Sequence, residues 1–428
     1  MLSIANFNEA EAALEAYMPL AHEIIGKDIS LERMRPLMRA VGSPETRLKV
    51  VHVAGTSGKT STAYYAAALL RAAGKTVGLT VSPHMDTIAE RVQLNCAPLD
   101  ELTFCQQLTE FLTLVEASGV QPTYYEVLMA FAYWYFDKVS VDYAVIETGL
   151  GGLHDGSNVA KRPDKVCIIT DIGYDHMHIL GDTIEEIAAQ KAGIIHAGNH
   201  VCMHEQSEEV MTVFKDQITK MSAELHTASM EEPLPFKNEL SNMPLFKKRN
   251  WLLAYKAYAY IAQRDGFKKT NETAIKATID TYVPGRMEQV SVGRVAVVMD
   301  GAHNEQKMAA FTGSFRALYG ERPTVVLFAM IRTKDYEGVL QNIKTITDTV
   351  VCTSVGMVGG EDKKAVDPEA LKQKAHELGI TNVYANSDAQ DAFHTALELV
   401  PDGGILVVTG SLYLLSNLRK LYKELRHG

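Results

Sequence analysis

Several protein classes are excluded by what this chain has little of. Its 428 residues contain only five cysteines, Cys96, Cys105, Cys167, Cys202 and Cys352, scattered, odd in number and never in a C-x-x-C pair. That pattern argues against a disulfide framework or a structural zinc site and fits a reducing cytoplasm. No apolar run approaches the roughly 18–20 residues needed to span a bilayer. The N-terminus carries Glu9, Glu11 and Glu15 where a secretory leader would be basic and then apolar. Positive charge is also short: 42 Lys+Arg stand against 52 Asp+Glu, for a net charge of −10. A chain without a basic footprint is not built for DNA or RNA. Anionic small substrates remain open, because a few cations or metal ions can invert the field within one cleft. What is present is ordinary for a globular enzyme: 46% hydrophobic and 22% charged residues. The expectation is a cytoplasmic, monomeric enzyme of two or three domains with neither nucleic-acid nor membrane partners.

Short β-branched runs alternate with amphipathic stretches. Residues 49–53, 75–81, 143–147 and 165–170 read as strands. Residues 59–73, 101–117, 124–138 and 183–192 read as helices, the last opening on a Thr cap with two Glu in its first turn. A second series follows, with strands at 294–299, 324–329, 349–353, 382–384 and 404–408. Between the two lies Pro284-Gly285-Arg286, a strong breaker after a helical stretch near 273–280. The region 204–249 gives no clear reading, and 250–263 returns to helix. Such alternation implies an α/β protein of two domains. The expected domains are residues 1–284, a P-loop-type, mostly parallel sheet with helices on both faces, and residues 285–428, a smaller Rossmann-like α/β domain.

Gly55-Thr56-Ser57-Gly58-Lys59-Thr60-Ser61 falls between a strand and a helix. In that context glycines let backbone N–H groups converge, the helix N-terminus adds positive potential, and the Lys reaches terminal phosphates. The full G-x-x-x-x-G-K-S/T pattern would need Gly where Val53 stands. The alternative is a plain strand–turn–helix corner with an exposed Lys. The order of strand, two glycines, Lys, Thr and helix favours phosphate binding. Glu147 ends the run Y-A-V-I-E and precedes T-G-L-G-G, so its carboxylate sits where ligands bind in open α/β sheets.

The segment A-G-T-S-G-K-T resembles the ATP loop of the Mur-type amide ligases. An ordered set of further motifs narrows this to the folylpolyglutamate synthase/dihydrofolate synthase family. They include Leu31-Glu32-Arg33-Met34-Arg35, Val81-Ser82-Pro83-His84, Glu90-Arg91-Val92, Glu147-Thr148-Gly149-Leu150-Gly151-Gly152 and Asp175-His176. Lys191-Ala192-Gly193-Ile194, Pro284-Gly285-Arg286, Asp300-Gly301-Ala302-His303-Asn304 and Thr409-Gly410-Ser411-Leu412 continue the series. The resemblance implies an ATP-dependent ligase that phosphorylates a carboxylate and joins it to the amine of L-glutamate, with ATP bound by residues 55–61.

By that resemblance, Ser82, Glu147 and His176 hold the Mg²⁺ of the nucleotide. Lys191 is carbamylated and serves a second Mg²⁺, although a Lys near a helix end commonly just complements the dipole. Asn250 resembles a helix-start Asn that contacts adenine, with an N-cap as the alternative. Arg286 can donate a planar fork to the γ-phosphate. Asp300 can accept ribose hydroxyls and His303 lies close to the transferring phosphate, a β-turn and helix cap being the alternative there. Pro83 and His84 belong to the expected substrate segment. Asp155 and Asn158, in a G-G-x-x-D-x-S/T-N loop, either hydrogen-bond a pterin or fix the loop. Leu153 stands where many family members carry Arg, and Gln190 where Glu commonly precedes the Lys. The aromatic stretch from Tyr124 to Phe136 reads as helix packing.

The implied acceptor is a reduced folate or folylpolyglutamate. Dihydropteroate, or both activities in one enzyme, is the alternative. A reading of another class is a P-loop NTPase with a regulatory second domain.

Overall fold

The computed structural model describes residues 4–18, 31–230, 236–268, 271–332, 334–355 and 364–427. The chain divides into two compact units. One is Met1–Ser241 with Lys247–Thr281; the other is Asn242–Phe246 with Tyr282–Gly428.

The first unit is built on eight strands: β1 (Val50–Ala54), β2 (Val77–Thr80), β3 (Gln93–Leu94), β4 (Ala97–Pro98), β5 (Tyr143–Glu147), β6 (Val166–Ile169), β7 (His200–His204) and β8 (Glu224–Ala228). Their order in the sheet is β4-β3-β2-β5-β1-β6-β7-β8. All neighbours run parallel except β2–β3 and β3–β4. β1, β2, β5 and β6 are buried along their whole length, which is why they read as mainly apolar runs in the sequence.

Helices cover the sheet. The Tyr124–Lys138 helix buries eleven consecutive residues, Glu126 to Phe136, and its Thr123/Glu126 capping box fixes where it begins. Phe104, Phe111, Phe131 and Trp134 meet there at ring separations of 5.3–6.1 Å. Packing is therefore the main role of that aromatic run, although Tyr133 also donates its hydroxyl to the Ser157 carbonyl and Tyr125 has a polar role described below. The Ile184–Ala192 helix likewise starts from a Thr183/Glu186 capping box, worth about 1 kcal/mol.

The second unit carries six strands, β9 (Glu288–Val292), β10 (Val295–Asp300), β11 (Thr324–Phe328), β12 (Thr349–Cys352), β13 (Asn382–Ala385) and β14 (Ile405–Thr409), in the order β13-β12-β11-β14-β10-β9. All pair in parallel except β9, which forms a hairpin with β10 through Gly293. The expected α/β class with two mostly parallel sheets therefore holds. One detail differs. The strand after Pro-Gly-Arg is antiparallel β9 and does not itself open a βα series, because a short Gly turn permits an immediate hairpin.

The unreadable region 204–249 contains the end of β7, the Glu208–Lys220 helix, β8 and the short Lys237–Ser241 helix. Residues 231–235 of that region lie outside the described residues.

Candidate active site

Four neighbouring strands, β2, β5, β1 and β6, end on the same edge of the first sheet, and each is followed by a segment singled out from sequence. In order across the sheet these are Ser82-Pro83-His84, Glu147-Thr148-Gly149, the loop 55–58, and the segment from Asp171 to His176. A parallel sheet thus gathers onto one edge residues separated by over ninety positions.

The loop 55–58 turns through Gly55 and Gly58 at φ 149° and 90°. Gly58 is doubly constrained, because a Cβ there would stand 2.4 Å from Asn250 Oδ1. Thr56 N–H and Ser57 N–H both donate to the Asp171 carbonyl, at 2.9 and 3.1 Å. The Thr56 hydroxyl bonds the Gly173 carbonyl at 2.9 Å. These three donors tie the loop to the strand next door. The N–H groups left without an intrahelical acceptor are those at the start of the Lys59–Ala72 helix, which carries Lys59, Thr60 and Ser61 directly after Gly58.

Glu147 is 2% exposed. Its Oε1 accepts from the Thr60 hydroxyl at 2.8 Å and its Oε2 from the Ser82 backbone N–H at 3.0 Å. One buried carboxylate thus joins the ends of three strands. The Ser82–Pro83 peptide is cis.

Lys191 lies in the last turn of its helix, as expected, but it is 3% exposed and not a solvated dipole cap. Its Nζ donates to the Gly55 carbonyl at 3.0 Å, and Lys59 Nζ donates to the same oxygen at 3.0 Å. The helix is brought there by the glycine turn after β5. A Cβ on Gly152 would lie 2.7 Å from the Gln190 carbonyl, and Leu153 N–H donates to that carbonyl at 2.7 Å.

His176 takes a left-handed backbone (φ 51°) ahead of the Met177–Leu180 helix. Its backbone N–H donates to Asp175 Oδ1 at 3.0 Å, and its ring Nε2 stands 3.7 Å from the same oxygen.

Asp155 and Asn158 are almost fully buried, and of their two expected roles the structure displays the fixing of the loop. Asp155 accepts from the Tyr125 hydroxyl (2.8 Å), Leu150 N–H (2.7 Å) and Ser157 N–H (2.9 Å). Asn158 Nδ2 donates to the Leu153 and Gly193 carbonyls. Asn158 Oδ1 must then be an acceptor, so His196 Nε2, 2.9 Å away, carries the proton. Burial and the neighbouring cations Lys165, Lys161 and Arg35 push the His196 pKa down to about 3, which keeps that ring neutral.

Asn250 corrects one expectation. It is not at a helix start, because its helix begins at Leu245 and Asn250 lies in the second turn, buried against Gly58. The Lys247-Lys248-Arg249 segment continues the helix where a cap had been read. Pro83 is exposed and His84 half-buried.

In the second unit, Asp300 ends β10. Its carboxylate accepts Met287 N–H at 2.8 Å and Ala302 N–H at 2.9 Å, which draws the Pro-Gly-Arg segment onto the strand end. The helix cap expected in this motif is Asn304, which accepts from Lys307 N–H. His303 Nδ1 lies 2.7 Å from the Gly301 carbonyl and so carries the proton, leaving Nε2 to accept from Lys307 Nζ at 3.0 Å. Arg286 Nη1 donates to the Gly285 carbonyl at 2.9 Å.

Several residues contribute in ways their sequence signal did not specify. Tyr125, read only as packing, uses its hydroxyl to bridge Asp155 and Gly149 N–H. Glu90 binds the N–H groups of Met85, Asp86 and Thr87, and Arg91 bonds His84 Nδ1 at 3.2 Å, so this motif shapes the segment displaying Pro83 and His84. Arg249 grips the Asp171 carboxylate through Nε and Nη2 at 2.8–3.1 Å. Lys307 stands one helical turn after His303, a spacing that could have flagged it.

A phosphate-type loop, a buried carboxylate beside its Thr, and a second α/β unit define an ATP-dependent ligase of the Mur type. Residues 53–244 match the Mur ligase middle domain and residues 285–412 the Mur ligase glutamate ligase domain. The chain is 31% identical to the Bacillus subtilis dihydrofolate synthase/folylpolyglutamate synthase over 420 residues, covering 92% of this chain and 95% of that one. It is 28% identical to the Lacticaseibacillus casei folylpolyglutamate synthase, covering 97% and 98%. A Mycobacterium tuberculosis folylpolyglutamate synthase complexed with ADP superposes with a TM-score of 0.85 at 27% identity, covering 97% of this chain and 98% of that one. The chain belongs to the folylpolyglutamate synthase/dihydrofolate synthase family and is an ATP-dependent glutamate ligase of that type.

Proposed function

We propose that the enzyme phosphorylates the carboxylate of dihydropteroate, a reduced folate or a folylpolyglutamate with ATP, and that the amine of L-glutamate then displaces phosphate from the acyl phosphate. The products are an amide, ADP and phosphate. Hydroxide is a poor leaving group and phosphate a good one, which is what the ATP supplies. The observation that carries this reading is the meeting of Lys59 and Lys191 on the Gly55 carbonyl, in a strand-end cluster with the Glu147–Thr60 pair.

The donors suit Mg²⁺. Glu147 and Thr60 offer hard oxygens side by side, as a P-loop site requires. By family resemblance Ser82, Glu147 and His176 would hold the nucleotide's ion, with a carbamate on Lys191 for a second. Mg²⁺ bound there would neutralise charge building on the transferring phosphate.

The geometry gives Lys191 a reason to be modified. Two ammonium groups 3.0 Å from one carbonyl oxygen lie within about 6 Å of each other, a repulsion of about 3 kcal/mol at an effective dielectric near 20. Loss of a proton from Lys191, attack of the neutral amine on the CO₂ carbon and loss of a second N–H proton to solvent would leave an anionic carbamate and turn that repulsion into attraction. Lys59 then remains the cation for the phosphates. Gly58, Thr60 and Ser61 contribute the helix N-terminus, and Asn250 acts through its contact with Gly58. Asp155 and Asn158 position the turn that carries the Lys191 helix, and Pro83 and His84 face the folate.

In the second unit, Arg286, Asp300 and His303 are the groups proposed to engage the nucleotide. The division of labour proposed is ATP and folate in residues 1–284 and glutamate ligation in 285–428. The reaction is placed in the cytoplasm, in keeping with five free cysteines; no described helix is long and apolar enough to cross a membrane.

The test is a mass-spectrometric screen with Mg-ATP and glutamate against dihydropteroate, tetrahydrofolate and their polyglutamates. An amide should form with ADP and phosphate only when acceptor and glutamate are both present, and the acceptors that react define the substrate. ATP hydrolysis indifferent to both would instead establish the NTPase reading.

A further inference from the structure

The edge of the first sheet opposite the phosphate loop holds a cluster that the ligase reaction does not use. His200 opens β7 and Glu224 opens β8, and the two are paired in register. His226 lies two residues after Glu224 and so projects from the same face. His200 Nδ1 is 3.4 Å from His226 Nε2. The Glu224 carboxylate reaches both rings, Oε2 at 3.3 Å from His200 Nδ1 and Oε1 at 3.6 Å from His226 Nε2. Tyr260 backs the cluster, its ring centroid 4.3 Å from His200 and 4.6 Å from His226. Among the described residues this is the one group of three His, Cys, Asp or Glu side chains whose ligand atoms lie within 4.8 Å of one another.

Those separations are what a small tetrahedral ion imposes. With bonds of about 2.0–2.1 Å, ligand atoms around such an ion stand roughly 3.3–3.4 Å apart. Two imidazoles and a carboxylate are also the donor set that selects a borderline transition metal over Mg²⁺. The imidazoles are half-buried under Tyr260, while the Glu224 side chain is 63% exposed, which leaves an open path on one side.

We propose that His200, Glu224 and His226 bind one transition-metal ion of the Zn²⁺ class, with water completing a tetrahedron. β8 is the last strand of the sheet. An ion held by both strands clips that edge to its neighbour, so its effect is on stability and not on the ligase chemistry.

The probe is Co²⁺, whose visible d–d absorption reports tetrahedral coordination, titrated into tag-free full-length enzyme with excess Mg²⁺ to occupy oxygen sites. One equivalent should bind and be displaced by Zn²⁺. His200→Ala and His226→Ala should each weaken binding at least about ten-fold while ligase rates stay at the wild-type level. Zn²⁺ should raise the melting temperature of the wild type by a few degrees and leave the double variant unmoved. Should an alanine variant fold poorly, Glu224→Gln is expected to show the same loss of Co²⁺ affinity. A wild type that develops no more tetrahedral absorption than the double variant, or a double variant that binds as tightly, overturns the assignment.

Discussion

Replacing Glu147 by Gln separates what this carboxylate does for the fold from what it does for the reaction. Both of its oxygens accept hydrogen bonds, one from the Thr60 hydroxyl and one from the Ser82 amide. The Ser82 N–H can only donate, so a Gln must turn its carbonyl oxygen there and its NH₂ toward Thr60. A hydroxyl can accept as readily as donate, so both contacts survive. The loss is the extra strength of charge-assisted bonds, about 1–2 kcal/mol of stability. The reaction loses more. A neutral amide is a poor Mg²⁺ ligand, and forfeiting several kcal/mol of charge stabilisation, at 1.36 kcal/mol per decade, lowers turnover by roughly 10²–10³-fold. Urea unfolding measures the first quantity, and ligase rates across a Mg²⁺ series measure the second. A variant within about threefold of wild type at every Mg²⁺ concentration would refute the metal role. Destabilisation above about 4 kcal/mol would refute the hydrogen-bond reasoning.

Three other perturbations have clear expected outcomes. Lys191→Ala should abolish ligation, and acetate filling the vacated space should partly restore it; ¹³C-bicarbonate NMR of the wild type should show a carbamate, and an unmodified amine in an active enzyme with no rescue would dismiss it. Gly58→Ala should cost about 1–2 kcal/mol for its left-handed backbone and displace Asn250, weakening ATP binding in calorimetry; Asn250→Ala should relieve the steric part only, so full recovery in the double variant would show that φ 90° is not required there. Lys165 is buried, donates to the Ala160 and Ile194 carbonyls, and burial lowers its pKa to about 8. Between that value and the unfolded 10.5, only the unfolded chain keeps the proton. Wild-type stability should therefore climb with pH in that window, by up to about 1.4 kcal/mol per unit relative to Lys165→Met, while the difference between the two stays constant below pH 8; parallel pH profiles for the two proteins across the whole range would contradict the shift.

The fold was legible where burial is complete. β1, β5 and β6 announce themselves because parallel strands covered on both faces are dominated by apolar residues. β7 and β8, H-V-C-M-H and E-L-H-T-A, were missed because their polar residues break the apolar run. β3 and β4 are two residues each, too short for any pattern. At the site, spacing marked Lys59 and Glu147 because strand ends and glycine turns are local signals. The partner of Lys191 was not local: the Gly55 carbonyl lies 136 positions away. Asn250 was misplaced for a simpler reason. A run of Lys and Arg ahead of an apolar stretch looks like a loop in one dimension, yet it lies inside a helix that has already begun at Leu245. Asp155, Asn158 and Tyr125 show a further limit. Residue type says that such side chains can bond, and only the folded turn shows that Tyr125 donates to the Asp155 carboxylate while Asp155 and Asn158 hold the backbone of Leu150 and Leu153.

Formation of an acyl phosphate is tested most directly by following one oxygen atom. With the acceptor's carboxylate labelled with ¹⁸O, attack on the γ-phosphorus leaves that oxygen bridging carbon and phosphorus. Departure of phosphate on amine attack then carries it away. Mass spectrometry of the products should find one ¹⁸O in the inorganic phosphate for each amide formed, and none in ADP. Phosphate free of ¹⁸O, or label appearing in AMP, would contradict the mechanism proposed here.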